Sequence, residues 1–171
     1  MKGDLSTLRK VCTYASAVML VGCIVFAVLT AVLAVLGIGS LMSDDMGEML
    51  RTLTGSSASD SLLKKVSAFI VTMMISVMAL ITVWMVYRIM SSVKVEHSPF
   101  IPENAERIKV ISLTFLFASV FLLAFGLLAE KGITELLFMF FGSLMVSVVM
   151  YCLTIVCRHG VLLQKESDET L

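Results

Sequence analysis

Four long apolar runs constrain this chain more than any other feature. They span about Val11–Ile38, Val66–Met90, Ile108–Leu128 and Leu136–Cys157, and none carries a charged residue in its middle. About 20 mostly apolar residues suffice for a helix to cross a hydrocarbon layer of about 30 Å. Backbone groups in lipid must bond within the chain, which leaves helices or a closed barrel. The runs are continuous and do not alternate as barrel strands do. They predict an all-α fold, an integral membrane four-helix bundle formed by residues 1–171 as one membrane domain. Composition agrees. Of the 171 residues, 58% are hydrophobic and 15% charged, against about 25% charged in a typical soluble domain. A soluble domain this small could not bury so much apolar surface. A soluble enzyme, a disordered chain, a disulfide scaffold and a nucleic-acid binder are all disfavoured.

The first run follows Lys2, Arg9 and Lys10, as a signal peptide would. It is far longer than the roughly 7–15 apolar residues of a signal sequence, so a retained signal-anchor helix is expected. The connections differ in character. Residues 39–65 form a polar outer loop in which Met42, Met46, Met49, Leu50 and Leu53 recur at helical spacing between Asp44, Asp45, Glu48 and Arg51. That pattern predicts a short amphipathic helix, capped by Asp45 and Glu48 and broken at Gly55–Ser59. Ser59 or Asp60 is then placed to cap the second span. Residues 91–107 form a loop with Pro99 and Pro102, residues 129–135 a turn, and residues 158–171 a polar tail. Nine basic residues (Lys2, Arg9, Lys10, Arg88, Lys94, Arg107, Lys109, Arg158 and Lys165) lie on the side shared by the termini and the second loop, against four (Arg51, Lys64, Lys65 and Lys131) on the other. Basic residues mark the cytoplasmic side. Both termini and residues 91–107 are therefore expected in the cytoplasm of a prokaryotic cell, the chain being a multi-pass protein of its cytoplasmic membrane.

Charged groups inside a membrane usually mark ion or proton pathways, and the mid-spans have none. Their polar groups are hydroxyls, among them Thr72, Ser76, Thr82, Ser112, Thr114, Ser119, Ser143, Ser147 and Thr154. Such groups commonly serve helix contacts, as do the pairs Ala27-x-x-x-Ala31 and Ser143-x-x-x-Ser147. Met73, Met74, Met78, Met85 and Met90 suit core filling better than a binding face. Cys12, Cys23, Cys152 and Cys157 show no C-x-x-C spacing and read as free, packed thiols. His97, His159 and Cys157 match no metal-binding spacing. No nucleophile elbow, zinc-protease, P-loop or dinucleotide-binding motif is present. The expected protein is not an enzyme and uses no metal or cofactor.

Two polar segments remain. The first is His97-Ser98-Pro99-Phe100-Ile101-Pro102-Glu103-Asn104-Ala105-Glu106-Arg107-Ile108, where Pro102 suits a first helical turn and the acids suit a helix N-terminus. The second begins at Arg158-His159-Gly160 and reads as the fourth helix leaving the membrane, with Val161, Leu162 and Leu163 as a short apolar patch before an acidic end. Phe100, Glu103, Asn104, Arg107 and Ile108 fit the pattern F-x-x-E-N-x-x-R-[IL]. Gly160, Leu163, Gln164, Glu166, Asp168, Thr170 and Leu171 fit G-x-x-L-Q-x-E-x-D-x-T-[IVL]. In these motifs and their placement the chain resembles the bacterial and archaeal membrane family known as domain of unknown function 2975. That family has no established activity. Its genes often neighbour those of Cro/C1-type helix-turn-helix regulators. The resemblance thus implies a regulatory or sensory membrane protein with a DNA-binding regulator as partner and no direct contact with nucleic acid. The alternative is a small transporter or channel component, expected as a homo-oligomer in the bilayer. The two segments are expected to meet on one membrane face, Arg107 pairing with Glu166 or Asp168 while Asn104 and Gln164 bond backbone groups.

Overall fold

A computed structural model of the chain describes residues 2–40, 43, 48–49, 52, 62–96, 100–128 and 132–169. They form four long helices: α1 (Lys2–Gly39), α2 (Leu62–Glu96), α3 (Pro102–Leu128) and α4 (Ile133–Glu169). All four are long and apolar enough to cross a membrane, which marks a multi-pass membrane protein. In the outer loop, residues 48, 49 and 52 are helical, and Thr52 Oγ1 donates to the Glu48 carbonyl at 2.8 Å. The remainder of the expected amphipathic helix, including Met42, Asp45, Met46, Leu50 and Leu53, lies outside the described residues. So do the break at 55–59, the cap at Ser59 or Asp60, and residues 129–131.

The helices run past the apolar stretches that predicted them. Residues 91–96, assigned to a loop, continue α2, and residues 158–169 continue α4, as expected for a tail that begins as the fourth helix leaving the membrane. At 1.5 Å per residue the 37 residues of α4 reach about 55 Å, well beyond the hydrocarbon thickness. Hydropathy locates where a helix must be apolar. It does not locate where the backbone stops coiling, and Lys, Glu and Gln extend helices readily. The start of α3 follows its local chemistry. The Ile101 carbonyl accepts from the amides of Asn104 (3.0 Å) and Ala105 (3.3 Å), placing Pro102 at the first helical position with Glu103 in the first turn. At α4 the Gly132 carbonyl accepts from the Leu136 amide at 3.0 Å.

The chain divides into two compact units, to which every helix contributes. One comprises Val25–Leu80 and Phe115–Leu144. Its core is Val71 of α2 against Ala118 and Leu122 of α3, with Met74, Ile75, Met78 and Phe125 packed around them. Met74 and Met78 therefore fill a core. Thr30 of α1 and Ser76 of α2 share a hydroxyl hydrogen bond at 2.6 Å. Gly37 faces the Phe69 ring so closely that a Cβ would collide with it. Leu33 and Leu36 are buried on the same helix, whereas Ala27 and Ala31 are exposed. The expected packing at the alanine pair is thus corrected: hydroxyl pairing and the Gly37–Phe69 approach turn a different face of α1 inward.

The other unit comprises Met1–Ile24, Ile81–Thr114 and Met145–Leu171. Here α3 and α4 are joined by a reciprocal serine clasp: Ser112 Oγ donates to the Ser147 carbonyl and Ser147 Oγ to the Ser112 carbonyl, each at 2.9 Å. Both serines are buried. The Ser147 end of the Ser143-x-x-x-Ser147 pair serves helix contact, while Ser143 bonds carbonyls of its own helix. Cys12 and Cys23 are free and buried, Cys157 is half-buried and Cys152 is exposed. Large apolar side chains are exposed on every helix, as a lipid-facing surface requires.

Candidate functional site

The two sequence segments come together within the second of these units, where the beginning of α3 meets α2 and α4. The local sequence explains how. Pro102 starts α3 abruptly, so Asn104 and Arg107, three residues apart, fall on neighbouring positions of one helix face. Asn104 is 1% exposed and Ala105 equally buried, which anchors the first turn of α3. Arg107 Nη1 sits among three acceptors. It donates to Asn104 Oδ1 at 2.8 Å, to the Arg88 carbonyl of α2 at 3.0 Å, and to Ser92 Oγ. Ser92 Oγ in turn donates to the Arg88 carbonyl at 3.0 Å. One guanidinium thus ties the beginning of α3 to the last two turns of α2. Hydrogen bonds with a charged donor are the stronger kind.

A second tie joins α3 to α4. Arg158 Nη2 lies 2.6 Å from Glu106 Oε1, and Lys109 Nζ lies 3.7 Å from Glu106 Oε2. The contact between the two segments is therefore carried by Glu106 and Arg158, while the bonds of Arg107 run to Asn104, Ser92 and the Arg88 carbonyl. That revises the expected pairing of Arg107 with Glu166 or Asp168. A third tie is apolar. The Phe100 ring lies against Gly160 of α4, where an added Cβ would stand 2.8 Å from Cε1 and 2.9 Å from Cγ. Only a residue without a side chain lets the ring approach this closely.

Several motif residues face outward. Glu103, Leu163, Gln164 and Glu166 are exposed, and Lys165 and Glu169 form an i,i+4 ion pair at 3.7 Å on the surface of α4. Asp168 lies within α4, its side chain outside the described residues, as is Thr170 altogether. Of the motif residues, Phe100, Asn104, Arg107 and Gly160 build the junction. Sequence reasoning missed Ser92, Glu106, Arg158 and the Arg88 carbonyl. Their signal was weak: each is an ordinary polar group at a helix end until a partner 15 to 52 residues away is placed beside it.

Among the described residues, no three His, Cys, Asp or Glu side chains converge on a point that could hold a metal ion. His159 is exposed and His97 lies outside the described residues. The arrangement holds helices in register and presents a polar surface. No family model, no curated protein and no solved structure matches this chain.

Proposed function

We propose that this chain is a non-enzymatic four-helix bundle of the prokaryotic cytoplasmic membrane, with both termini and the α2–α3 junction in the cytoplasm. The junction and the α4 extension dock a soluble regulator of the Cro/C1 helix-turn-helix type, so that the protein acts as its regulatory or sensory membrane partner. The reading is carried by the triple tie at the junction: Arg107 onto α2, Glu106 onto Arg158, and Phe100 onto Gly160. It fixes the beginning of α3 against α2 and α4 and leaves Leu162, Leu163, Gln164 and Glu166 exposed beside it on a helical extension. A preordered surface loses little entropy on docking. The orientation rests on the distribution of basic residues, and the regulator is what the resemblance to domain of unknown function 2975 implies. Transport through a homo-oligomer is less well supported, because Ser112, Ser119, Ser143, Ser147 and Thr154 spend their hydroxyl protons on backbone carbonyls.

The test is co-purification of the full chain in detergent with Cro/C1-type helix-turn-helix regulators of the same cell. Stoichiometric retention, lost on Leu163→Glu, is expected. Absence of retention by the intact, folded chain contradicts the proposal.

A further inference from the structure

Of the four spans, α1 is the least covered by its own chain: only 11% of its most apolar stretch is buried. The surface it turns outward follows a strict repeat. Val11, Val18, Val25 and Val32 recur seven residues apart, and three residues further on Tyr14, Val21, Val28 and Val35 do the same. These are all seven valines of α1 with one tyrosine, and none of the eight is less than 46% exposed. Leu20, Ile24, Ala27 and Leu29 are exposed as well, and none of them is valine. The repeat belongs to the sequence of one unbroken helix, and each compact unit carries four of its residues. The inward side keeps the same period. Cys23 is buried, Thr30 bonds Ser76, and Gly37 meets the Phe69 ring. In a seven-residue repeat those positions stand opposite the valine stripe, so the stripe faces away from the rest of the chain.

Contact with lipid requires that a surface be apolar. It does not require one residue type every 3.5 residues, and the exposed run Leu116, Phe117, Val120 and Phe121 of α3 shows the mixed set that lipid accepts. A 3.5-residue spacing keeps a stripe facing its partner only when that partner is another helix wound around it left-handedly, the commonest crossing among membrane helices. Helix association in lipid depends on close packing rather than on hydrophobic burial. Valine suits it, because its χ1 is already fixed in a helix and little freedom is lost on contact.

We infer that the valine stripe of α1 is a seam for a second copy of this chain, the two α1 helices running parallel about a two-fold axis along the membrane normal. A face that pairs with itself is the isologous contact of a two-fold dimer, and copies inserted in the same orientation present identical stripes at the same depth. The seam runs about 36 Å, enough to cross the hydrocarbon layer of about 30 Å. Across a helix about 10 Å wide it covers roughly 350 Å² per copy, under half of the about 800 Å² per partner of a standard soluble interface. The dimer is therefore reversible, helped by a bilayer that already aligns both copies and so lowers the orientational cost of association. The seam rests on the membrane reading alone and is independent of regulator docking.

Single substitutions Val21→Cys, Val25→Cys, Val28→Cys and Val32→Cys test the seam, with Leu20→Cys and Ala27→Cys as exposed positions off the stripe. Each is made in the full chain carrying Cys152→Ala and Cys157→Ala, with the buried Cys12 and Cys23 left in place. Isolated membranes are oxidised with copper phenanthroline and read on non-reducing gels. The four stripe positions should give a disulfide-linked dimer, and the two off-stripe positions only the background of the parent. Val21→Phe with Val28→Phe, which enlarges exposed side chains without making them polar, should abolish the dimer formed through Val32→Cys, whereas Leu20→Phe with Ala27→Phe should leave it. Equal crosslinking on and off the stripe overturns the inference, since it reports random collision. So does its absence at all four stripe positions, an adduct with a different protein in place of the dimer, or a dimer that survives the paired phenylalanines on the stripe. Loss of regulator capture with the crosslinks intact would strike the proposed function and leave the seam standing.

Discussion

Replacing Arg107 by alanine tests the junction at its most connected residue. The change removes Nη1 from Asn104 Oδ1 (2.8 Å), from the Arg88 carbonyl (3.0 Å) and from Ser92 Oγ. The Arg88 carbonyl keeps the Ser92 hydroxyl as a donor at 3.0 Å, so the loss falls mainly on Asn104. Asn104 is 1% exposed, and water cannot readily replace the missing donor. A hydrogen bond to a charged group contributes about 1.5–3 kcal/mol. Arg107 is half-buried, so solvent screening places the effect in the lower part of that range, about 2 kcal/mol, or roughly a thirtyfold shift in the unfolding equilibrium. Unfolding by SDS titration in mixed micelles would measure it on the parent, Arg107→Ala, Asn104→Ala and the double variant. The two residues should couple by about 1–2 kcal/mol, because they share one bond. A coupling below about 0.3 kcal/mol, the level of independent sites, would refute the claim that this bond orders the start of α3.

Three further outcomes follow from the same geometry. Ser112→Ala and Ser147→Ala each remove one donor of the α3–α4 clasp and should each cost about 0.6–1.7 kcal/mol, the range for interhelical bonds in lipid; the same micelle titration reads it, and a neutral effect would show the clasp to be incidental. Gly160→Val drives side-chain atoms into the Phe100 ring and should cost about 1–3 kcal/mol, as overpacking does, with Phe100→Ala restoring most of the loss; no rescue would place the strain elsewhere. Glu106→Gln removes the negative charge shared by Arg158 and Lys109, an exposed arrangement, so thermal stability in detergent should fall slightly at low salt and match the parent at high salt; a loss undiminished by salt would contradict an exposed ion pair.

The position of the four helices was readable from the chain because bilayer thickness sets a length that apolar residues must fill. Val11, Val66, Ile108 and Leu136 were correctly placed inside helices, and α3 began where Pro102 and Glu103 suggested. The helix ends beyond the membrane were less legible. Residues 91–96 are polar enough to read as loop, yet they continue α2 because nothing in them stops a helix, whereas residues 158–169 continue α4 as the fourth helix was expected to on leaving the membrane. Asn104 and Arg107 drew attention through their motif. Their partners did not, since a carbonyl at 88 and a hydroxyl at 92 acquire meaning only when two helices are laid side by side. Ala27 and Ala31 show the converse: small-residue spacing is common by chance, and the inward face of α1 was decided by Thr30, Leu33 and Gly37.

The central claim is that the α4 extension beside the junction meets a cytoplasmic regulator. A photo-crosslinking amino acid placed at Leu163, which is 66% exposed, and separately at Phe138, 82% exposed in the unit without the junction, interrogates it in intact cells. The account expects a covalent adduct between position 163 and the helix-turn-helix regulator, and only lipid adducts at position 138. Crosslinks from position 163 to lipid alone, or its labelling by an impermeant reagent from outside the cell, would contradict it.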